Sequence, residues 1–326
     1  MTLATLLARR VIAGFVTVWA VLTAVFAVFT FTDDWHLEQT IAVAGSSGGL
    51  SDREREAIRD TYFAGRDRDG TVTGRYIEYM VDTLTLQWGQ SFETGENVLS
   101  TVLSATLTTG SYVVPALVIA VCLALGVGVY AAMRPATRRE QAVRLAVYLG
   151  LGIPSFWVGV VLLVQSDAVP YSFTGTQDFI APLDLPVHYG RALPILLVAL
   201  TLVAAIASHA RSHSLEYATS DAAKLVRAKG GRRADVARHV VKNAAIPLLS
   251  LTFTETLGLL AISVFVMEAV FGIEGIGLVF YNAIWAHDLP VVTGVTTAVV
   301  AIGVLGNVTQ DLAYTLLDPR VDVGGR

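Results

Sequence analysis

Six runs of almost uncharged residues, each long enough to cross a bilayer, divide this chain, and the polar segments between them alternate in sign. The runs cover residues 11–32, 106–132, 145–165, 192–209, 245–267 and 289–312. About 20 predominantly apolar residues at 1.5 Å each cover the ~30 Å hydrocarbon layer. Lipid offers no partner to a backbone N–H or C=O, so such runs are predicted to be helices. The fold class that follows is all-α and integral to the membrane, with six transmembrane helices. For the first run a cleaved signal peptide competes, because Arg9 and Arg10 followed by an apolar stretch suit both. The run exceeds the ~7–15 residues of a signal core and lacks a small-residue cleavage pattern, which favours a retained helix.

Charge then orients the runs. Arginine and lysine concentrate on the cytoplasmic side of membrane proteins. Arg9 and Arg10 precede the first run, and Arg134, Arg138, Arg139 and Arg144 follow the second. Residues 211–243 hold eight basic residues against three acidic ones. The opposite segments are acidic or lack cations: residues 33–105 carry six arginines against thirteen carboxylates, 167–191 three aspartates and one arginine, and 268–288 no basic residue. Both termini are thereby predicted to be cytoplasmic. The expected organisation is a first helix over 1–32, an external acidic cap over 33–105, a five-helix core over 106–317 containing a cytoplasmic loop at 211–247, and a tail over 318–326.

Local signals fill in the polar segments. Ser51 and Glu54 have capping-box spacing, predicting a short helix through Ile58 and Tyr62. Tyr76, Met80 and Leu84 recur at helical spacing, predicting a second. In the basic loop, Ser220 or Asp221 is placed to cap a helix starting at Ala222, and Lys229 suits its last turn. Gly230 and Gly231 stand where a left-handed cap is expected, and a further helix starts near Asp235. Pro247 is expected to open the fifth span, Pro115 to break the second, and Pro154 to kink the third. The basic loop has two readings at this point: a grip for a cytoplasmic partner, with Ala222 and Ala223 small enough to enter its groove, or an amphipathic hairpin lying on anionic lipid headgroups.

Composition agrees. Apolar residues make up 54% and charged residues 15%, against ~25% charged in soluble proteins, and mean hydropathy is +0.59. A single cysteine, Cys122, excludes an intrachain disulfide and a cysteine-rich metal site. His209 and His213 lie four apart but lack a third ligand nearby, and Ser208 and Ser212 lack a G-x-S-x-G elbow, so neither a metal centre nor a hydrolase is favoured. No G-x-x-x-x-G-K-[ST] loop occurs, so the chain is not expected to cradle phosphates in that way itself.

Arg211, Leu215-Glu216, Asp221 and Arg227-Ala228-Lys229-Gly230, followed by His239, Asn243 and Pro247, resemble the EAA loop of permease subunits of ATP-binding-cassette (ABC) importers. More narrowly the chain resembles the first of the two paired permeases of the dipeptide, oligopeptide and nickel family. Gly89-Gln-Ser-Phe92 with Thr94-Gly95, Ile153 to Gly159, Glu268, Phe271 to Gly277, Asp288-Leu-Pro-Val-Val292 and Leu317-Asp-Pro-Arg320 carry the likeness along nearly the whole chain. Glu274 in place of a proline and Glu255 in place of a glutamine depart from it.

The resemblance implies a type I ABC importer permease that is no enzyme itself, sited in a prokaryotic cell membrane. Its expected partners are a second homologous permease, two ABC ATPase subunits, an external substrate-binding protein and membrane lipid, with no nucleic acid. No cofactor is expected on this chain, since ATP and Mg serve the ATPase subunits. The substrate implied is a short peptide, with nickel chelates and oligosaccharides open as alternatives, and a secondary transporter as the alternative in mechanism. The coupling residues implied are Arg211, Leu215, Glu216, Asp221, Ala222, Ala223, Arg227, Ala228, Lys229 and Gly230. Glu255, a carboxylate within a span, is expected to line the substrate path with Ser155, or else to sit near enough the interface to be solvated.

Overall fold

The computed structural model describes residues 3–46, 48–64, 66, 71–165 and 187–317. The expected external loop at 167–191 falls mostly outside the described residues, as do the tail from 318 onward and the side chains of Glu255 and Pro247. The described chain is helical, with one isolated β-bridge between Gln90 and Asn97. Four segments are long and apolar enough to cross a membrane: Ile12–Gly45, Val98–Ala132, Ala192–Thr219 and Leu289–Gln310. Two broken helix pairs raise the number to as many as six.

The chain divides into two compact units, 1–107 with 274–304, and 108–273 with 305–326. In the first, α1 (Leu3–Phe31) is followed by three short helices, α2 (Trp35–Gly45), α3 (Asp52–Ala64) and α4 (Val72–Leu84). The Ser51 amide and hydroxyl both donate to Glu54 Oε2, at 2.8 and 2.7 Å, closing the expected capping box and holding the Glu54 carboxyl below its ordinary pKa. On α4 the Tyr76 hydroxyl shares a 2.7 Å hydrogen bond with Thr23 of α1, and Met80 is buried. Tyr79 Oη donates to the Leu22 carbonyl at 3.2 Å. Two motifs far apart in sequence meet in this unit. Asp288 Oδ2 accepts from Ser91 Oγ at 2.6 Å and from the Glu93 amide at 3.2 Å, which ties the turn after α4 to the start of α12 (Leu289–Leu317). The intervening helix is α11 (Ile276–Trp285).

In the second unit the core lies along α8 (Val187–Thr219), where Leu197, Val198, Leu202, Ile206 and Ala207 are buried. Ala116, Ala120 and Ala124 form a fully buried stripe on α5 (Val98–Ala132), and small residues at that spacing let helices approach closely. Met267 and Phe271 of α10 (Arg233–Phe271) complete the cluster.

Three proline expectations change. α5 runs through Pro115 without a break, and α10 runs from the basic loop through position 247, so Pro247 opens no new helix. Interior prolines are tolerated where neighbouring helices or side chains take up the freed backbone groups. Pro154, expected to kink one span, instead ends α6 (Arg138–Gly152), and α7 (Ser155–Gln165) leaves at 80°. The cause is Ile153, which precedes a proline and is forced out of the helical region to φ −103°, ψ 113°.

At Gly128 α5 runs close against α8. A Cβ there would stand 2.5 Å from Ala210 Cβ and 2.9 Å from the Arg211 nitrogen. Gly128→Ala therefore forces the α5–α8 seam apart at a cost of about 1–3 kcal/mol. The expected outcome is a lower melting temperature in detergent, whereas Gly126→Ala, where a Cβ meets open space, leaves it unchanged.

Candidate coupling site

The basic loop folds as predicted from its caps. α8 ends at Thr219, and Ser220, extended at φ −62° and ψ 158°, accepts from the Ala223 amide at 3.3 Å to start α9 (Asp221–Ala228). Asp221 lies in the first turn, where a carboxylate suits the helix dipole. Lys224 Nζ donates to it at 2.8 Å, and that bond and charge hold the Asp221 carboxyl below its usual pKa. Both side chains are exposed, so the pair contributes little to stability. Arg227 Nη2 reaches back to the Ala218 carbonyl at 3.0 Å, satisfying an end of α8 that lacks a helical donor.

The turn closes on glycine. Gly230 adopts φ +79°, the left-handed region, and its amide donates to the Arg227 carbonyl at 3.0 Å. The Gly231 amide donates to Val226 O at 2.9 Å, the i to i−5 bond of a Schellman closure. The Arg232 amide donates to Asp235 Oδ2 at 2.8 Å and caps the start of α10.

Two faces result. Inward, Ala218, Ala223, Val236 and Val240 bury themselves with Val129 of α5, and Tyr217, Val226 and Met133 pack around them. Outward, Leu225 is 55% exposed, with Ala222, Arg227, Ala228, Lys229 and Gly230 exposed around it. Of the two alanines expected to enter a partner's groove, Ala222 is exposed. Ala223 is fully buried, and its small size lets α9 close onto its own fold.

The other expected residues are distributed differently. Arg211 lies on α8, ten residues before the start of α9, and binds Glu140 of α6: its Nη2 is 2.7 Å and its Nε 2.9 Å from Oε1. Glu140 is 2% exposed. Leu215 is half-buried and Glu216 exposed on the same helix. Ser155 is buried at the first residue of α7. Glu255 lies on α10, with its side chain outside the described residues.

Three residues were given no site role from the sequence. Leu225 carries the outward apolar face, and its signal was a large aliphatic residue among cations. Glu140 is the buried partner of Arg211. Its only signal was the Thr137-x-x-Glu140 pattern, and here Thr137 Oγ1 accepts from the Glu140 amide at 3.2 Å while the carboxylate turns to Arg211. Glu268, read only as a family motif, is fully buried and accepts from Thr109 Oγ1 at 2.5 Å and Tyr112 Oη at 2.7 Å.

Comparison with known proteins adds the following. Residues 124–323 match the family model described as the binding-protein-dependent transport system inner membrane component. The chain is 28% identical over 317 residues to the dipeptide transport system permease protein DppB of Bacillus subtilis, covering 97% of this chain and 98% of that one. It is 26% identical to the oligopeptide transport system permease protein AppB of the same species, over 63% of this chain and 66% of that one. It is 23% identical to the metal-staphylopine import system permease protein CntB of Staphylococcus aureus, over 77% and 78%.

Proposed function

Because the chain belongs to the family of binding-protein-dependent transport system inner membrane components, we propose that it moves short peptides from an external binding protein to the cytoplasm by ATP-driven alternating access. It is a multi-pass plasma-membrane permease of an ABC importer, within the peptide group of that family. A permease of this kind works with ATPase and binding-protein partners. The finer composition proposed is a second related permease and two ATPase subunits, which hydrolyse ATP with Mg. The peptide substrate rests on likeness to proteins whose names specify dipeptide and oligopeptide transport.

The observation that carries the mechanism is the two-faced α9 hairpin. Its inner face is packed into the permease, so the hairpin cannot move without the helices around it. Its outer face leaves Leu225 and the flanking cations unburied and suited to a cleft on an ATPase subunit. Closure of the two ATPase subunits pulls the hairpin, and rigid-body tilting of the attached helices alternates access to the path. Glu255 and Ser155 are proposed to line that path. A headgroup-binding role is disfavoured because the exposed large apolar side chain of α9, Leu225, stands among cations, where a lipid-seated helix needs a continuous apolar face.

Reconstitution with the ATPase subunits and binding protein tests this reading. ATP-dependent uptake of a dipeptide is the expected result, and robust uptake by this chain alone under an ion gradient overturns it. The turn gives a sharper measurement. A side chain at Gly230 finds open space but an unfavourable backbone, costing about 1–2 kcal/mol. Gly230→Leu is expected to insert normally and to lose at least roughly tenfold of the substrate-stimulated ATPase rate, a 1.4 kcal/mol effect.

A further inference from the structure

The first unit forms an open-sided cavity of about 350 Å³, within the roughly 300–1,000 Å³ typical of small-molecule sites. Its walls differ in chemistry. On one side the charges answer each other: Arg66 Nη1 is 3.5 Å from Asp34 Oδ2, Tyr62 donates to Asp34 Oδ1 at 2.8 Å, and the Arg66 guanidinium lies 3.7 Å over the Tyr62 ring. On the other side α4 lines the cavity with Arg75, Glu78 and Asp82. Among the described residues, no side-chain hydrogen bond or ion pair engages any of these three, although i,i+3 spacing would let Arg75 and Glu78 pair. Arg75 Nε is shielded from solvent and has no acceptor. Phe26, Phe29, Tyr79 and Phe92 cover the wall between.

A buried donor without an acceptor is costly, so a cavity containing one is built for an acceptor that comes from outside. On the same wall Glu78 is exposed and Asp82 half-buried, and both carboxylates favour a cation beside them. Arg75 and Asp82 are seven residues apart, about 10 Å along the helix axis. An extended chain covers about 3.5 Å per residue, so two or three amino acids span that interval from ammonium to carboxylate.

We propose that this cavity binds a short zwitterionic peptide, its carboxylate on Arg75, its ammonium on Glu78 and Asp82, and its apolar side chains against Phe26, Phe29 and Phe92. The choice of a peptide over other zwitterions rests on the importer reading above, while the charge pairing does not. The site would hold substrate within the first unit.

The test is titration of the full-length chain in phosphatidylglycerol nanodiscs with alanyl-leucine, its N-acetyl derivative and its C-terminal amide. Calorimetry gives the affinity, and Trp35, whose ring lies 4.5 Å from that of the cavity residue His287, gives a fluorescence reading. Saturable binding of the free dipeptide, about tenfold or more tighter than either blocked form, is expected. Arg75→Gln should weaken the free peptide to the level of the amide while Arg75→Lys retains part of the affinity, and Asp82→Asn should narrow the gap to the acetylated form. No saturable binding, equal binding of the three compounds, or occupancy only by added phosphatidylethanolamine would overturn the assignment. Because the comparison of three ligands needs no variant, a misfolded mutant does not blunt it. Binding by the chain, together with failure of the assembled transporter to import peptides, supports the cavity and removes the importer substrate. Import without cavity binding removes this inference alone.

Discussion

Replacing Leu225 with aspartate is expected to leave the chain folded and inserted, yet to weaken its hold on the ATPase by about a hundredfold or more, equivalent to roughly 3 kcal/mol. Leu225 is 55% exposed, so the permease itself gains little from it. If the ATPase buries that side chain, a carboxylate in its place must be desolvated without a partner, which is where the large effect arises. Lys224→Ala is the internal comparison: its bond to Asp221 is exposed, and removing it is expected to change association by less than about fivefold. Co-purification in mild detergent and substrate-stimulated ATP hydrolysis read both. Equal effects of the two substitutions would show that α9 docks through charge, and the apolar anchor would have to be abandoned.

Arg211→Ala is expected to destabilise the permease itself, by about 3–5 kcal/mol, because it strands a buried carboxylate. Glu140 is 2% exposed, and Arg211 supplies its two short contacts. Arg144, at 4.0 Å and itself 45% exposed, is a poor substitute. The expected signature is a large fall in melting temperature that the double variant Arg211→Ala/Glu140→Gln largely restores, since a neutral amide needs no counter-charge. Arg211→Lys should recover less, because an ammonium cannot reproduce the paired Nε and Nη2 contacts. Failure of the double variant to recover would mean that Arg211 acts by contact with another subunit instead of by holding α6 to α8.

These two predictions divide the EAA-like residues by task, and that division was only partly legible in the sequence. The caps, the glycine turn and the helix between them could be read because each depends on neighbours within five residues: Ser220 on Ala223, Gly230 on Arg227, Gly231 on Val226. Arg211 and Glu140 are 71 positions apart, and no local pattern announces their pairing. Glu140 was also masked by Arg138, Arg139 and Arg144, which mark its segment as plainly basic. The same limit applied to the prolines. Pro115 and Pro154 look alike in sequence, yet one sits in an unbroken helix while the other, with Ile153 extended before it, turns the chain through 80°. The cap cavity was least visible of all, since Phe26, Arg75, Phe92 and His287 reach it from distant segments.

The unbroken course of α10 has a consequence for timing. Val236 in the hairpin and Glu268 beneath Thr109 and Tyr112 belong to one helix, 32 residues and about 48 Å apart along its axis. No loop or helix end lies between them, Pro247 being the helix-interior position in that interval where α10 could bend. On the proposed coupling, a stroke delivered at the hairpin would reach Glu268 without crossing a loop. If the hairpin moves as proposed, the hydroxyls of Thr109 and Tyr112 around Glu268 would yield in the same event that moves Val236, and the two ends of this helix would keep a single clock.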